Sequence, residues 1–108
     1  MAFIIALSET YRVKVTVETL NEAGKKEKSE FHVVFKRYDV DELDELRTKP
    51  QREVLKEAIV GWEGLLDGNK EPVPFNELNV DVLLRITPAL QGLALAFWNS
   101  IVTAREKN

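Results

Sequence analysis

Two stretches near the start of the chain alternate apolar and polar residues with a period of two. The apolar positions are Tyr11, Val13, Val15 and Val17 in the first stretch, and Phe31, Val33 and Phe35 in the second. Such alternation is typical of a β-strand with one apolar face. Residues 21–24 between them have the composition of a turn. The pattern predicts an antiparallel β-hairpin, with the apolar residues 3–7 as a candidate additional strand. Because a hairpin alone is marginally stable, its apolar face should pack on helices.

The rest of the chain changes to helical spacing. Asp39, followed three residues later by Glu42, predicts a capped helix start. A second helix is predicted after Pro50 and through Leu66. Its apolar positions are Val54, Leu55, Ala58, Ile59, Trp62, Leu65 and Leu66. A short helix after Asn76 is marked by Leu78, Val82, Leu83 and Ile86, and a last helix runs from about Pro88 towards Arg105, with Thr87 as its N-cap. We therefore expect one α+β domain over residues 1–108, with a β-hairpin region at 1–37 and a region of three to four helices at 38–108.

A linker joins the second predicted helix to the third. It contains the turn sequence Asp-Gly-Asn at residues 67–69 and then two prolines, Pro72 and Pro74. Prolines fix φ and push the preceding residue towards an extended conformation. Trp62 and Phe75 stand at its two ends. We expect these two aromatic side chains to hold the linker against the core.

The last predicted helix has few polar residues. Gln91 and Asn99 provide almost the only polar relief before Thr103. A helix that is apolar all round is normally buried on all sides. Two interpretations stay open: a central core helix, or a helix with one face on the core and one offered to a partner or to another copy of the chain. Under the second interpretation, Leu95, Trp98 and Val102 are the expected contact residues.

Composition excludes several classes of function. The net charge of −3 disfavours general nucleic-acid binding, which needs a basic face. The chain has no cysteine, so disulfides and thiolate chemistry are excluded. The apolar run at residues 3–7 is too short to span a membrane and lacks the preceding basic residue of a signal peptide. We expect a soluble protein that is not secreted, with no membrane partner.

No residue pattern points to catalysis or to a cofactor. His32 is the single histidine and lies in a predicted strand, opposite its apolar face, so a partly exposed strand residue is the simpler interpretation. The acidic run at residues 39–45 fits a helix N-terminus better than a metal site. The loop from Asp67 has Pro72 at the sixth position, where a calcium-binding loop needs glycine. We therefore expect no catalytic, cofactor-binding or metal-binding residues.

Three segments resemble the tail assembly chaperones of long-tailed bacteriophages. They are FHVVFKR at residues 31–37, LKEAIVGWEGL at 55–65 and DGNKEPVPFN at 67–76. The most specific feature is a V-G-W-x-G-x-x-D-x-x-G-x-x-V-P-F pattern followed by a short leucine-rich helix. This chain has Lys70 where a glycine is common, and has Gly68 instead. Residues 104–108 are also similar to family C-termini, so the resemblance covers roughly residues 29–108.

The resemblance implies a non-enzymatic role in the cytoplasm of the bacterial host. Such chaperones bind the long, apolar tape measure protein before the tail tube is built, help bring tail-tube subunits to it, and are absent from the finished virion. In this family a frameshift product recruits the tube subunits, and Glu106-Lys107-Asn108 can be encoded by a slippery string. The alternative is a structural minor tail protein, a tube or completion component that stays in the virion.

Overall fold

The structure, a computed structural model, describes the backbone of residues 1–106 and the side chains of residues 1–102. Within these residues a three-stranded antiparallel sheet packs against four helices, so the predicted α+β fold is confirmed. The elements in chain order are β1 (Thr10–Leu20), β2 (Lys26–Lys36), α1 (Val40–Leu46), α2 (Gln51–Ala58), β3 (Ile59–Glu63), α3 (Glu77–Leu84) and α4 (Thr87–Glu106). Lys107 and Asn108, which the frameshift hypothesis needs, lie outside the described residues, as do the side chains of the similar C-terminal segment.

The predicted hairpin is present, and its turn is built by Asn21. The Asn21 side chain accepts hydrogen bonds from the backbone N–H groups of Ala23 (2.9 Å) and Lys25 (3.0 Å). Gly24 supplies the positive φ of 79° that closes the turn. The strands pair in register from Thr10 with Lys36 to Leu20 with Lys26.

The second predicted helix is wrong beyond Ala58. The chain leaves the helix at Ile59 and forms β3, which pairs antiparallel with β2. Ile59 and Val60 are β-branched and Gly61 is a poor helix former, so the segment prefers an extended conformation. The open edge of β2 provides hydrogen-bond partners for it, and the region expected to be helical, residues 38–108, therefore contains a strand.

The candidate strand at residues 3–7 is also wrong. These residues form no strand, and all of them are exposed. Within the described chain, no hydrogen bond reaches residues 1–7. Sheet pairing instead stops just after them, where the Arg37 N–H donates to the Glu9 carbonyl (2.8 Å).

The core lies between the sheet and the helices. Val15, Val33 and Phe35 from the hairpin are fully buried, as are Leu93 and Phe97 of α4. The rings of Phe35 and Phe97 meet edge to face, with centroids 5.1 Å apart. Helix α4 runs alongside β1, and at its closest approach Gly92 lies against the Thr16 carbonyl.

Side chains cap the starts of α1 and α3, as the sequence predicts. The Asp39 carboxylate accepts the Glu42 N–H (2.8 Å), and the Glu42 carboxylate accepts the Asp39 N–H (3.0 Å). This is a complete capping box at α1. The Asn76 side chain caps α3 by accepting the Asn79 N–H (2.8 Å). Helix α4 begins at Thr87 itself, one residue earlier than predicted.

Candidate functional site

Helix α3 presents apolar side chains to solvent. Leu78 and Val82, one helical turn apart, are 72% and 54% exposed, and Ile86 at the following bend is 48% exposed. The buried side of α3 is formed by other residues, Val80, Leu83 and Leu84. The sequence marks this region by Leu78, Val82, Leu83 and Ile86, and all of these except Leu83 are exposed. Adjacent exposed apolar side chains of this kind are typical of an interaction surface.

Val82 and Ile86 border a groove of about 380 Å³. We call it the α3 groove. Its lining is mainly apolar, with Asp67 and Asn79 as its polar members. The residues that line it are Leu65, Leu66, Asp67, Val73, Pro74, Asn79, Val82, Leu83 and Ile86.

The far wall of the α3 groove is a small loop hairpin after β3. The Val73 N–H donates to the Leu65 carbonyl (2.8 Å), and the Asp67 N–H donates to the Glu71 carbonyl (2.9 Å). The Asp67 carboxylate accepts two further backbone N–H groups, those of Asn69 (2.8 Å) and Glu71 (3.0 Å). Asp67 is thus a structural turn residue, because its carboxylate is used inside the loop.

Two residues of this loop hairpin have left-handed backbone. Gly64 has a φ of 80° and Lys70 a φ of 61°. Glycine adopts this region without steric cost, whereas other residues pay for the contact between Cβ and the backbone. Lys70 stands where the resembled chaperones commonly have glycine. The turn geometry therefore explains a glycine preference at that position, although this chain carries lysine.

Trp62 holds the loop hairpin in place. Its indole N–H donates to the Val73 carbonyl (2.8 Å), and its ring meets that of Phe75 edge to face with centroids 4.9 Å apart. The expected linker residues Trp62, Pro72, Pro74 and Phe75 are therefore together, but the linker joins a strand to a helix instead of two helices. Trp62 is half-buried and Phe75 is exposed, so the two rings hold each other and the loop more than they enter the core.

The three expected contact residues on α4 have different environments. Leu95 is 64% exposed, but its surroundings on β1 include Arg12, Lys14 and Thr16. Trp98 does not project outwards as expected. Its indole N–H donates to the Gln51 side chain (2.8 Å), and its ring packs against Phe97 with centroids 5.0 Å apart.

Val102 is half-buried. Helix α4 therefore has one buried face and one solvent face, and of the three residues Leu95 is the most exposed.

The described residues provide little for acid–base or metal chemistry. No group of three or more histidine, aspartate or glutamate side chains among them is placed to hold a metal ion. Burial raises the pKa of Tyr38 to about 12, with a smaller contribution from Glu57. The Tyr38 hydroxyl is buried and has no hydrogen-bond partner in the described chain. The Tyr38 ring meets that of Phe97 edge to face, with centroids 6.2 Å apart.

Across the described part of the chain, no individual helix combines the length and the apolar character needed to cross a membrane. Helices α3 and α4 taken together meet those two criteria, but the pair is bent by 102° where the helices join.

The α3 groove was not predicted from the sequence, because the groove forms only when residues 59–63 become the strand β3. Once Ile59–Glu63 pairs with β2, the following loop turns back beside α3 and leaves Val82 and Ile86 facing it. The available signal was the number of apolar residues in α3, since Leu78, Val80, Val82, Leu83 and Leu84 are more than one buried helix face can hold.

Comparisons of the chain with models of protein families, with curated proteins and with solved structures found no match.

Proposed function

We propose that this chain is a tail assembly chaperone of a long-tailed phage or prophage. It acts in the cytoplasm of the bacterial host, binds an apolar helix of the tape measure protein, and is absent from the mature virion. It has no enzymatic activity. The structural observation that carries the proposal is the α3 groove, an exposed apolar surface on a chain whose sequence resembles this chaperone family.

The shape of the α3 groove suits a helical client. Val82 and Leu83 of α3 lie along one side, and Leu65, Val73 and Pro74 form the other side. An amphipathic helix lays its apolar side chains into such a groove at spacings of three and four residues. The part of α3 that lines the groove, from residue 79 to residue 83, is about 6 Å long, a little more than one turn of a client helix.

The groove suits an apolar client better than the exposed face of α4 does. The surroundings of Leu95 include Arg12, Lys14 and Thr16 beside Val13 and Ala96, whereas the α3 groove is lined mainly by aliphatic side chains and Pro74. Burial of apolar surface is the main favourable term in association, at about 25 cal/mol per Å². The α3 groove therefore offers the larger free energy to an apolar helix.

The backbone conformation of the loop hairpin also supports the resemblance. The family pattern has glycine at the positions of Gly64 and Lys70, and these are the two positions of the loop with positive φ. The loop geometry thus favours glycine at both positions, where the family pattern has glycine.

Co-expression with the tape measure protein from the same genome tests the proposal. The amount of soluble tape measure protein should rise with the wild-type chain and return to its background level with Val82→Asp. Because Val82 is already exposed, this variant should stay folded, as circular dichroism can check. Leu95→Asp is the matched control and should solubilise the client like the wild type.

Two results would count against this assignment. Loss of solubilisation in Leu95→Asp but not in Val82→Asp would move the client site to α4. Detection of the chain in purified phage particles would favour the structural tail protein instead. A longer product with the same first 106 residues, expressed from the gene with its downstream sequence, would support recruitment of tail-tube subunits through a frameshift.

A further inference from the structure

We infer that the helix received by the α3 groove carries acidic residues along one side of its apolar stripe, and that Arg52 and Arg85 bind these acids. The inference rests on the proposed function, because it names the chemistry of the client of the same groove. Two exposed arginine side chains next to the groove are the observation that supports it. Within the described part of the chain, neither guanidinium has an ion pair or a hydrogen bond.

Arg85 stands between the α3 groove and a second concave surface, a cleft of about 290 Å³ between α2 and α3. The residues that line the cleft are Arg52, Glu53, Lys56, Asp81 and Arg85. Arg85 is the C-cap of α3 and keeps helical backbone (φ −86°, ψ −13°). Residues three apart on a helix are neighbours, so Arg85 lies beside Val82, which lines the groove together with Ile86. An arginine at this position can reach the flank of a helix that lies in the groove.

The acidic residues of the cleft leave both arginines available. Three basic and two acidic side chains line the cleft, so its net charge is +1. Asp81 pairs with Lys56 (3.1 Å), and Glu53 forms no ion pair with either arginine. Arg52 lies in the first turn of α2, where the helix dipole disfavours a positive charge, so helix stability does not account for it. A guanidinium binds a carboxylate through two parallel hydrogen bonds, which makes an acidic side chain the matching partner.

The opposite side of the α3 groove carries a negative charge. Asp67 is the charged residue of the groove lining and belongs to the loop hairpin. An acidic residue of the client is therefore favoured on the side of α2 and disfavoured on the side of the loop. Because turning a helix end for end exchanges its two flanks, this asymmetry also sets the direction in which the client lies.

Charge adds selectivity that the apolar lining alone does not provide. The part of α3 that lines the groove accommodates little more than one turn of a client helix, about 6 Å. One turn inserts about two apolar side chains, which almost any amphipathic helix can supply. An exposed ion pair strengthens binding about twofold to fivefold, so two pairs strengthen it about fourfold to twenty-fivefold.

Designed peptides test the inference without the tape measure protein. Three amphipathic helices share one apolar stripe and differ along one side of it, where they carry glutamate, glutamine or lysine. In NMR titrations at low salt, the wild type should bind the glutamate peptide about tenfold more tightly than the glutamine peptide, and the lysine peptide most weakly. The net charge of −3 would by itself give the reverse order, so this order identifies a local basic site.

Charge-reversal variants locate that site. Arg52→Glu and Arg85→Glu should each weaken binding of the glutamate peptide about fivefold or more and change binding of the glutamine peptide less than about twofold. Arg52→Glu places an acid in the first turn of α2, which the helix dipole favours, so this variant should stay folded. Lys25→Glu is the matched control, because it changes the net charge equally at the exposed hairpin tip, and it should bind like the wild type.

Three results would overturn the inference. They are equal binding of the three peptides, no binding of the glutamate peptide at about 1 mM, and a loss in Lys25→Glu as large as that in Arg85→Glu. Solubilisation of the tape measure protein that depends on Val82, together with equal binding of the peptides, would leave the proposed function standing and remove only the acidic flank. Absence of solubilisation by the wild type would remove the proposed function whatever the order of the peptides.

Discussion

Replacement of Gly92 by alanine should destabilise the protein, although the same change stabilises most helices. Alanine is favoured over glycine in a helix interior by about 1 kcal/mol. Here a Cβ at residue 92 would lie 2.8 Å from the Thr16 carbonyl oxygen and 3.4 Å from the Val17 side chain. The nearest atom belongs to the backbone of a paired strand and cannot rotate away, so α4 has to move.

The size of the effect follows from that movement. Relief of the contact requires a shift of about 0.5 Å, and a gap of that size forfeits about a quarter of the dispersion energy of the contacts it opens. The affected contacts include those of Leu93 and Phe97, both fully buried. Overpacking of this kind costs about 1–3 kcal/mol. After the gain in helix propensity, we expect a net loss of about 1 kcal/mol in the free energy of unfolding.

Urea unfolding followed by tryptophan fluorescence measures this loss. With a slope of about 1–1.5 kcal/mol per molar urea for a chain of this size, the midpoint should fall by about 0.7–1 M. Gly68→Ala is the matched control, because no atom lies within 4 Å of its added Cβ, and its midpoint should stay equal or rise slightly. A Gly92→Ala variant as stable as the wild type, or more stable, would refute the close packing of α4 on β1.

Four further substitutions test individual contacts, each by urea unfolding. Tyr38→Phe removes a buried hydroxyl without a partner among the described residues and should leave stability equal or raise it, whereas Tyr11→Phe loses a 2.9 Å hydrogen bond to Ser100 and should cost about 1 kcal/mol. Burial raises the pKa of Tyr38 to about 12, so the folded state favours its neutral form. The free energy of unfolding that comes from this preference is complete below pH 10 and is lost as the pH rises through 12. Tyr38→Phe should therefore lose less stability than the wild type between pH 8 and pH 11, and equal losses in both proteins would contradict this. Lys70→Gly relieves a positive φ and should raise stability by up to about 1 kcal/mol, and a decrease would argue against the left-handed turn. Trp62→Phe keeps an aromatic ring but loses the hydrogen bond to Val73 and should cost about 1 kcal/mol, with no change expected if that bond is absent.

Local sequence signals predicted the hairpin and the helix starts. The period-two pattern of β1 and β2 and the Asp39–Glu42 capping box depend on residues close together in the chain, and the structure confirms both. The α+β fold follows from them, because an amphipathic hairpin has to cover its apolar face with helices. These features need no knowledge of distant contacts.

Features that depend on distant pairing could not be predicted in the same way. The apolar spacing from Val54 to Leu66 fits a helix, and only the open edge of β2 decides that Ile59–Glu63 becomes a strand. The α3 groove depends on that strand. Helix α4 is apolar nearly all round, so its sequence does not show that the Trp98 indole N–H donates to the Gln51 side chain on α2, 47 residues away.

Hydrogen–deuterium exchange with and without client tests the central claim most directly. The wild-type chain should be compared with and without a helical fragment of the tape measure protein. Binding in the α3 groove predicts slower exchange in α3 and in residues 65–74, with no change at the hairpin tip around residues 20–26. Protection confined to α4 around Leu95, or no protection at saturating client, would contradict the account.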